Sequence, residues 1–241
     1  MKNIALTLGL LALTSGAALA QQTVRIGTEG GYPPYNFINE NKEVAGFDRD
    51  VTDEACKRAQ LTCTWVTNEW DSIIPGLTSG NYDAIAAGMS VTDERRQAID
   101  FSETYTPPTV SAYAALSADA DYQTGVVAAQ VGTIQASHVA TTGATMVEFA
   151  SPDEAIGAVR KGEADAVFAD KGFLAPAVSE SNGELVFVGE DLPIDRGIGI
   201  GLRKSDTELK SKFDAAIVSM REDGTLNAML TKWFGEKAGQ F

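Results

Sequence analysis

Basic residues are scarce in this chain. Over 241 residues, 19 Lys and Arg stand against 33 Asp and Glu, a formal charge of −14. No cluster of Lys and Arg is present, which argues against a general binder of nucleic acid or anionic membrane, since phosphate contacts need such clusters. Cysteine is down to two residues and histidine to one, so neither a disulfide-dense scaffold nor a Cys/His metal set is available. No Ser, His and Asp constellation and no Gly-rich phosphate loop appears, and no cofactor is expected. Long apolar runs are missing as well: residues 4–13 fall far short of the roughly 20 that a membrane span needs, and no later stretch does better. With 44% hydrophobic and 22% charged residues, what remains is a folded, acidic enzyme or binder of one large or two smaller domains.

What is present begins with Lys2, the apolar run and the small-residue close Ala18-Leu19-Ala20, the order of a secretory signal. Residues 1–20 are therefore expected to be removed on export, with the mature chain starting at Gln21. Cys56 and Cys63 straddle the junction between an expected helix over 49–59 and an expected strand over 63–66. In an oxidising compartment a disulfide here staples helix end to strand start, for about 2 to 3 kcal/mol by the chain-entropy account. Two buried thiols are the alternative.

Along the mature chain short β-branched runs alternate with helical patterns. Strands are expected over 23–27, 82–87 and 126–131 and a helix over 72–77, an alternation that predicts α/β layers with largely parallel, buried sheets. An internal echo sharpens this. Leu77-Thr-Ser-Gly80-Asn-Tyr-Asp83-Ala-Ile85 and Val159-Arg-Lys-Gly162-Glu-Ala-Asp165-Ala-Val167 share the pattern apolar-x-x-Gly-x-x-Asp-Ala-apolar. In each, Gly is expected to end a helix at positive φ and Asp-Ala to open a strand. The repeat spacing is domain-sized, so two similar lobes follow.

The proline pair in Thr106-Pro107-Pro108-Thr109 cannot continue a helix and suits an extended crossing between lobes. A second crossing is expected at Arg196-Gly197-Ile198-Gly199-Ile200-Gly201. One lobe then comprises 21–108 and 197–241 and the other 109–196, with a cleft between them. Two closing helices are expected, the first opened by a capping box Ser205-x-x-Glu208, the second recapped at Asp223-Gly224-Thr225 and ending near Trp233.

Gly46-Phe47-Asp48, Trp70-Asp71-x-Ile-Ile-Pro75-x-Leu77, Asp83-Ala84-Ile85, Met89-Ser90-Val91-Thr92-x-x-Arg95 and Asp223-Gly224-Thr225 resemble the extracytoplasmic solute-binding proteins of polar amino-acid ABC importers. The resemblance covers essentially the whole mature chain. Cys56-Lys57-Arg58 with Cys63 is similar to the histidine- and lysine/arginine/ornithine-binding members, which carry a disulfide at that spacing. Thr28-Glu29-Gly30-Gly31-Tyr32 and Asn68-Glu69-Trp70-Asp71 look closer to the octopine- and nopaline-binding members. The resemblance implies a two-lobe, type II periplasmic-binding-protein fold joined by two hinge strands, a periplasmic monomer, an amino-acid ligand, and membrane permease subunits as partners.

A free amino acid carries a carboxylate and an ammonium on one carbon, so a selective cleft needs a fixed cation for the first and a carboxylate for the second. Arg95, whose planar guanidinium suits a carboxylate, is the expected clamp, in the first turn of a helix capped by Thr92 whose free N–H groups add to anion binding. Position alone favours an exposed arginine pairing with Asp93 or Glu94; the resemblance reverses that. Asp170, closing a strand over 166–169, is assigned by the resemblance to the α-ammonium, the alternative being a solvated pair with Lys171. The same resemblance gives backbone contacts to Ala87, Gly88, Ser90, Gly132 and Thr133. Glu29, Tyr32 and Trp70 are expected to select the side chain: aromatic faces and a carboxylate suit arginine, lysine or ornithine, while Trp65 and Trp233 are expected in the core. An opine's secondary amine supplies fewer donors to Asp170 and Ser90 than a primary ammonium. Ile134 and Gln130 depart from what relatives commonly show, and the segment 117–125 is short. Two other classes share these features: a dehydratase acting on aromatic amino-acid precursors, with Glu29 and Asp170 as an acid–base pair, and a sensor subunit presented to a receptor.

Overall fold

A computed structural model describes residues 22–241, so the expected signal segment lies outside the described residues. The chain opens with β1 (Thr23–Thr28), a short ribbon of β2 (Gly31–Tyr32), β3 (Asn36–Ile38) and β4 (Val44–Ala45), then α1 (Phe47–Arg58) and β5 (Thr62–Thr67). A single 3-10 turn at Trp70–Ser72 leads into α2 (Ile73–Thr78), followed by β6 (Ala84–Ile85), the one-turn α3 (Arg95–Ala98) and β7 (Asp100–Thr104). The middle of the chain supplies β8 (Ser111–Ala115), β9 (Val126–Gln130), α4 (Ile134–Val139), β10 (Thr145–Phe149), α5 (Pro152–Arg160), β11 (Ala166–Asp170), α6 (Lys171–Glu180) and β12 (Val186–Leu192). β13 (Gly199–Leu202), α7 (Thr207–Glu222) and α8 (Thr225–Phe234) close it.

Two five-stranded sheets result, in the orders β5-β1-β6-β13-β7 and β10-β9-β11-β8-β12, beside the small antiparallel ribbon, which the hydrophobic pattern does not announce. α1, α7 and α8 pack together against the first sheet, and α4, α5 and α6 against the second. The expected largely parallel sheets are in fact mixed. β5, β1 and β6 run parallel, as do β10, β9 and β11, but β13 and β8 pair antiparallel with both of their neighbours. The reason is geometric. The chain leaves the first sheet at the end where its strands finish and enters the second at the matching end, with no crossover helix to carry it round. β8 must then run back along that sheet, and β13 does the same on the return.

The echoed motifs have one structural job. Gly80 and Gly162 take the left-handed conformation at φ 81° and 72° where α2 and α5 stop. Asp83 N–H donates to the Arg25 carbonyl at 2.8 Å while Arg25 N–H returns to the Asp83 carboxylate at 3.0 Å. In the second sheet Asp165 N–H donates to the Val126 carbonyl at 2.8 Å and Val126 N–H returns to the Asp165 carboxylate at 2.7 Å. Each Asp thus sets the register of a central strand against its parallel neighbour.

Gly46 shows why Gly46-Phe47-Asp48 must open with glycine: its φ is 122°, and a Cβ there would collide with the Tyr35 carbonyl. α1 then buries Phe47, Val51 and Ala55 on one side, and its end is joined to β5 by the Cys56–Cys63 disulfide, with Cα atoms 6.2 Å apart. The expected 82–87 strand shrinks to two paired residues, flanked by Asp83 and Ala86, whose N–H groups still donate to the Arg25 and Gly27 carbonyls of β1, while the Tyr82 hydroxyl turns inward to bond the Ile73 carbonyl.

The expected capping box at Ser205 does not form. Ser205 bonds the neighbouring Asp206 at 2.8 Å, Glu208 pairs with Lys212 at 2.9 Å, and α7 starts at Thr207. The box occurs instead at Ser151 and Glu154, with Pro152 in the first turn of α5. Trp65 and Trp233 pack on the rim of the core, half-buried, each donating its indole N–H to an α1 carboxylate, Asp53 at 3.0 Å and Asp50 at 2.8 Å.

Where the chain passes between the sheets the two crossings lie side by side. Asp195 is buried and accepts from Thr109 N–H at 3.2 Å, the Thr109 hydroxyl at 2.7 Å and Gly197 N–H at 2.9 Å. Ile198 N–H donates to the Thr106 hydroxyl at 2.9 Å, and a Cβ at Gly197 would come within 2.7 Å of the Thr106 carbonyl.

Candidate functional site

The strand ends of both sheets meet across a narrow cleft of about 320 Å³, part of it open to solvent, lined by Glu29, Tyr32, Trp70, Ala87, Gly88, Ser90 and Arg95 on one side and Gln130, Thr133, Ile134, Gln135 and Asp170 on the other. Ligands of open α/β sheets sit at such carboxyl ends. Of the residues singled out from sequence, Gly132 alone stays off the lining. Its carbonyl borders the cleft and accepts from Arg95 at 3.1 Å.

Arg95 stands at the start of α3 and reaches over Trp70, its guanidinium carbon 5.2 Å from the ring centroid. Besides Gly132 it donates to the Ser90 carbonyl at 2.8 Å. It forms no ion pair with its neighbour Asp93, which is bonded to Arg196 at 3.0 Å. Protein encloses the guanidinium although the residue as a whole keeps some exposed surface, and this desolvation pushes its pKa down to about 10 against the opposing pull of Asp170, Glu94 and Asp195. Thr92 does cap the turn, accepting Arg95 N–H at 3.1 Å. The Arg95 amide is therefore already used and α3 is a single turn, which leaves the guanidinium without the help expected from that N–H group.

Asp170 closes β11 and is buried. It does not pair with Lys171, which reaches Asp191 at 2.6 Å. Its carboxylate accepts from the Tyr32 hydroxyl at 2.8 Å and from Gln135 Nε2 at 2.9 Å. Burial pushes the carboxyl up to about 7; the Asp195 charge adds to this, and the Tyr32 hydroxyl, Arg95 and Gln135 work against it. Tyr32 itself is stacked on Phe173, centroids 4.3 Å apart and 8° from parallel, so its ring is held by the second lobe. Thr133 caps α4, accepting from Ala136 N–H at 3.1 Å and donating to the Gln130 carbonyl at 2.7 Å.

At the other end of the cleft Glu29 accepts from Gln130 Nε2 at 2.6 Å across the lobes. Desolvation raises the Glu29 carboxyl to about 7, the Gln130 bond opposes, and the charges of Glu69 and Asp153 push it further up. Of these acids Glu29 alone lines the cleft; Glu69 and Asp153 are exposed and act on it only through their charge.

Gln135, which lines the cleft and donates to Asp170, is a functional candidate that sequence reasoning missed. Gln135 had one usable signal, an amide in the first turn after Gly132-Thr133. Asp48 belongs to the Gly46-Phe47-Asp48 motif, which by itself gives it no role. Buried, it accepts from Asn36 Nδ2 at 2.9 Å and the Tyr105 hydroxyl at 2.8 Å, while Asn36 accepts Gly30 N–H at 2.8 Å. That chain of bonds fixes the turn carrying Glu29.

Residues 24–236 match the model for bacterial extracellular solute-binding proteins, family 3. The lysine/arginine/ornithine-binding periplasmic protein of Escherichia coli is 32% identical over 256 residues, covering 96% of this chain and 95% of that protein. The L-arginine-binding protein of Pseudomonas aeruginosa is 32% identical over 255 residues, covering 97% of each. A crystal structure of a periplasmic His/Glu/Gln/Arg/opine family-binding protein from Silicibacter pomeroyi in complex with lysine is 64% identical, with a TM-score of 0.89 over 90% of this chain and 100% of that one. With its two sheets, its cleft of opposed Arg95 and Asp170, and a family match over nearly all described residues, this chain belongs to the bacterial extracellular solute-binding proteins of family 3.

Proposed function

We propose that this protein is the periplasmic receptor of an amino-acid ABC importer and that it captures a basic L-amino acid, lysine, ornithine or arginine, by closure of two lobes. The carrying observation is charge placement in one cleft: Arg95 and Asp170 line it from opposite lobes, suited to an α-carboxylate and an α-ammonium, and Glu29 lines it as the partner for a distal cation. Ser90, Ala87, Gly88, Gly132 and Thr133 supply the backbone and hydroxyl contacts, and Trp70 and Tyr32 the apolar walls. The moving bodies are 21–108 with 197–241, and 109–196. Closure is stabilised by the difference in ligand affinity between closed and open forms, and the permease reads the closed shape.

Thermal unfolding against the common amino acids, ornithine, citrulline, octopine and nopaline tests the reading. A ligand at 100 times its Kd adds about 2.7 kcal/mol, roughly 5 to 11 °C for a chain of this size. The expected pattern is a shift with lysine, ornithine or arginine and none with acidic amino acids. A shift confined to neutral, acidic or opine ligands overturns the basic selectivity.

A pH dependence follows from the two raised carboxyls. A bound cation favours their ionised forms, so binding below about pH 7 must expel protons. Affinity for lysine should therefore rise from pH 5.5 and level off above about 7.5, by up to about tenfold per pH unit for each proton released. Without ligand the sign is opposite for stability: the native state keeps protons up to about 7 that unfolded carboxyls lose near 4, so this contribution is present at low pH and lost as pH rises through 7. Calorimetric titration of lysine at pH 6.5 in two buffers of different ionisation heat counts the protons, and a count of zero contradicts the argument.

A further inference from the structure

We propose that Gln130 sets the choice among basic side chains, making the distal end of the cleft a site for a compact ammonium and disfavouring a guanidinium. The proposal rests on the reading of the cleft as a site for a basic amino acid. Gln130 ends β9, is buried, and borders both the main cleft and a smaller chamber behind it walled by Pro152, Ala155 and Ala169. Its Nε2 has two N–H groups and two acceptors, Glu29 Oε1 at 2.6 Å and the Ala150 carbonyl at 3.1 Å. Turning the amide over would set its oxygen against the Ala150 carbonyl, so the orientation is determined by the partners. Among the described residues no donor is bonded to Gln130 Oε1.

The distal end therefore offers one unshared carboxylate oxygen, Glu29 Oε2, and one amide oxygen. An ammonium has three rotatable donors on a point charge and can take both. A guanidinium binds a carboxylate best through two parallel N–H bonds to both oxygens. Here that pairing competes with the Gln130 bond already made to Oε1. The Gln130 bond is also what holds the Glu29 carboxyl down against burial and its acidic neighbours, which keeps a charge available to the ligand.

The test is the ratio of L-lysine to L-arginine affinity by isothermal titration at pH 8, in the wild type, Gln130→Met and Gln130→Asn. Methionine keeps the length without hydrogen bonds; asparagine keeps the amide but withdraws it from Glu29. The wild type is expected to bind lysine at least about tenfold more tightly than arginine, a margin of about 1.4 kcal/mol. Both variants are expected to lower that ratio at least about tenfold, lysine weakening while arginine holds or gains. A general packing defect would weaken both ligands together and leave the ratio in place, and that result overturns the proposal. A wild type preferring arginine overturns it too, with or without folded variants. A wild type that binds another class of amino acid and neither of these fails the basic-ligand reading itself, an outcome distinct from the other two.

Discussion

Arg95→Ala should weaken binding of a basic amino acid by about 2 to 5 kcal/mol, roughly 30- to 5,000-fold in Kd. The guanidinium has five N–H donors, and two are occupied, one by the Ser90 carbonyl at 2.8 Å and one by the Gly132 carbonyl at 3.1 Å. Three remain for a ligand carboxylate. Truncation removes them together with the only cation bordering the main cleft among the described residues, and it also cuts a bond between the lobes. Arg95→Lys should recover part of the loss, because an ammonium restores the charge but not the planar fork. Isothermal titration decides: an unchanged Kd in the alanine variant would falsify the assignment of Arg95 to the ligand carboxylate.

Asp170→Asn should weaken binding by about 2 to 5 kcal/mol, roughly 30- to 5,000-fold in Kd, while leaving the empty protein at least as stable as the wild type at pH 8. The two halves have one origin. An ionised carboxylate buried beside the Tyr32 ring and within reach of the Asp195 charge is costly when no ammonium balances it, which is why its pKa stands near 7. Asparagine removes that cost. It keeps an oxygen for Gln135, and the Tyr32 hydroxyl can swing its hydrogen away to accept from the new amide. What is lost is the charge-assisted bond to the ligand, about 2 to 5 kcal/mol when its partner stays buried and unpaired. Paired melting curves and titrations separate the outcomes. A variant that melts well below the wild type at pH 8 means that Asp170 holds the fold, and retained affinity removes it from the ammonium site.

Much of the fold and the cleft is legible in the amino-acid sequence, and the reason differs from case to case. Gly80 with Asp83 and Gly162 with Asp165 are readable because a helix stop and a strand start are local events, settled by φ and by one side chain bonding across a single strand gap. Arg95 and Glu29 stand in ordered motifs, so a family resemblance points to them, and Asp170 follows from the same resemblance at the end of a readable strand. Strand direction is not legible, because periodicity reports burial and not polarity: β8 and β13 look like any buried strand, and only the path of the crossings turns them round. Ser205-x-x-Glu208 and Ser151-x-x-Glu154 satisfy the same pattern. The second begins from an extended residue, with φ −121° and ψ 154°, from which the chain can turn into a helix under the serine, whereas Ser205 lies inside a turn closed by Asp206 N–H on the Arg203 carbonyl. Gln135 is legible only as an amide following Gly132-Thr133, since its importance comes from Asp170, a neighbour far away along the chain that the fold brings to 2.9 Å.

The position of β13 has a bearing on how the chain assembles after export. It lies between β6 and β7 in the first sheet, yet about a hundred residues of chain separate it from β7, and α7 and α8 follow later still. The second sheet is built from one unbroken stretch, β8 to β12, and needs nothing from either terminus. A chain emerging from its N-terminus can thus complete its second half first. The first half must hold a gap between β6 and β7 until the last fifth of the sequence arrives, and the disulfide joining α1 to β5 lies wholly within the part that waits.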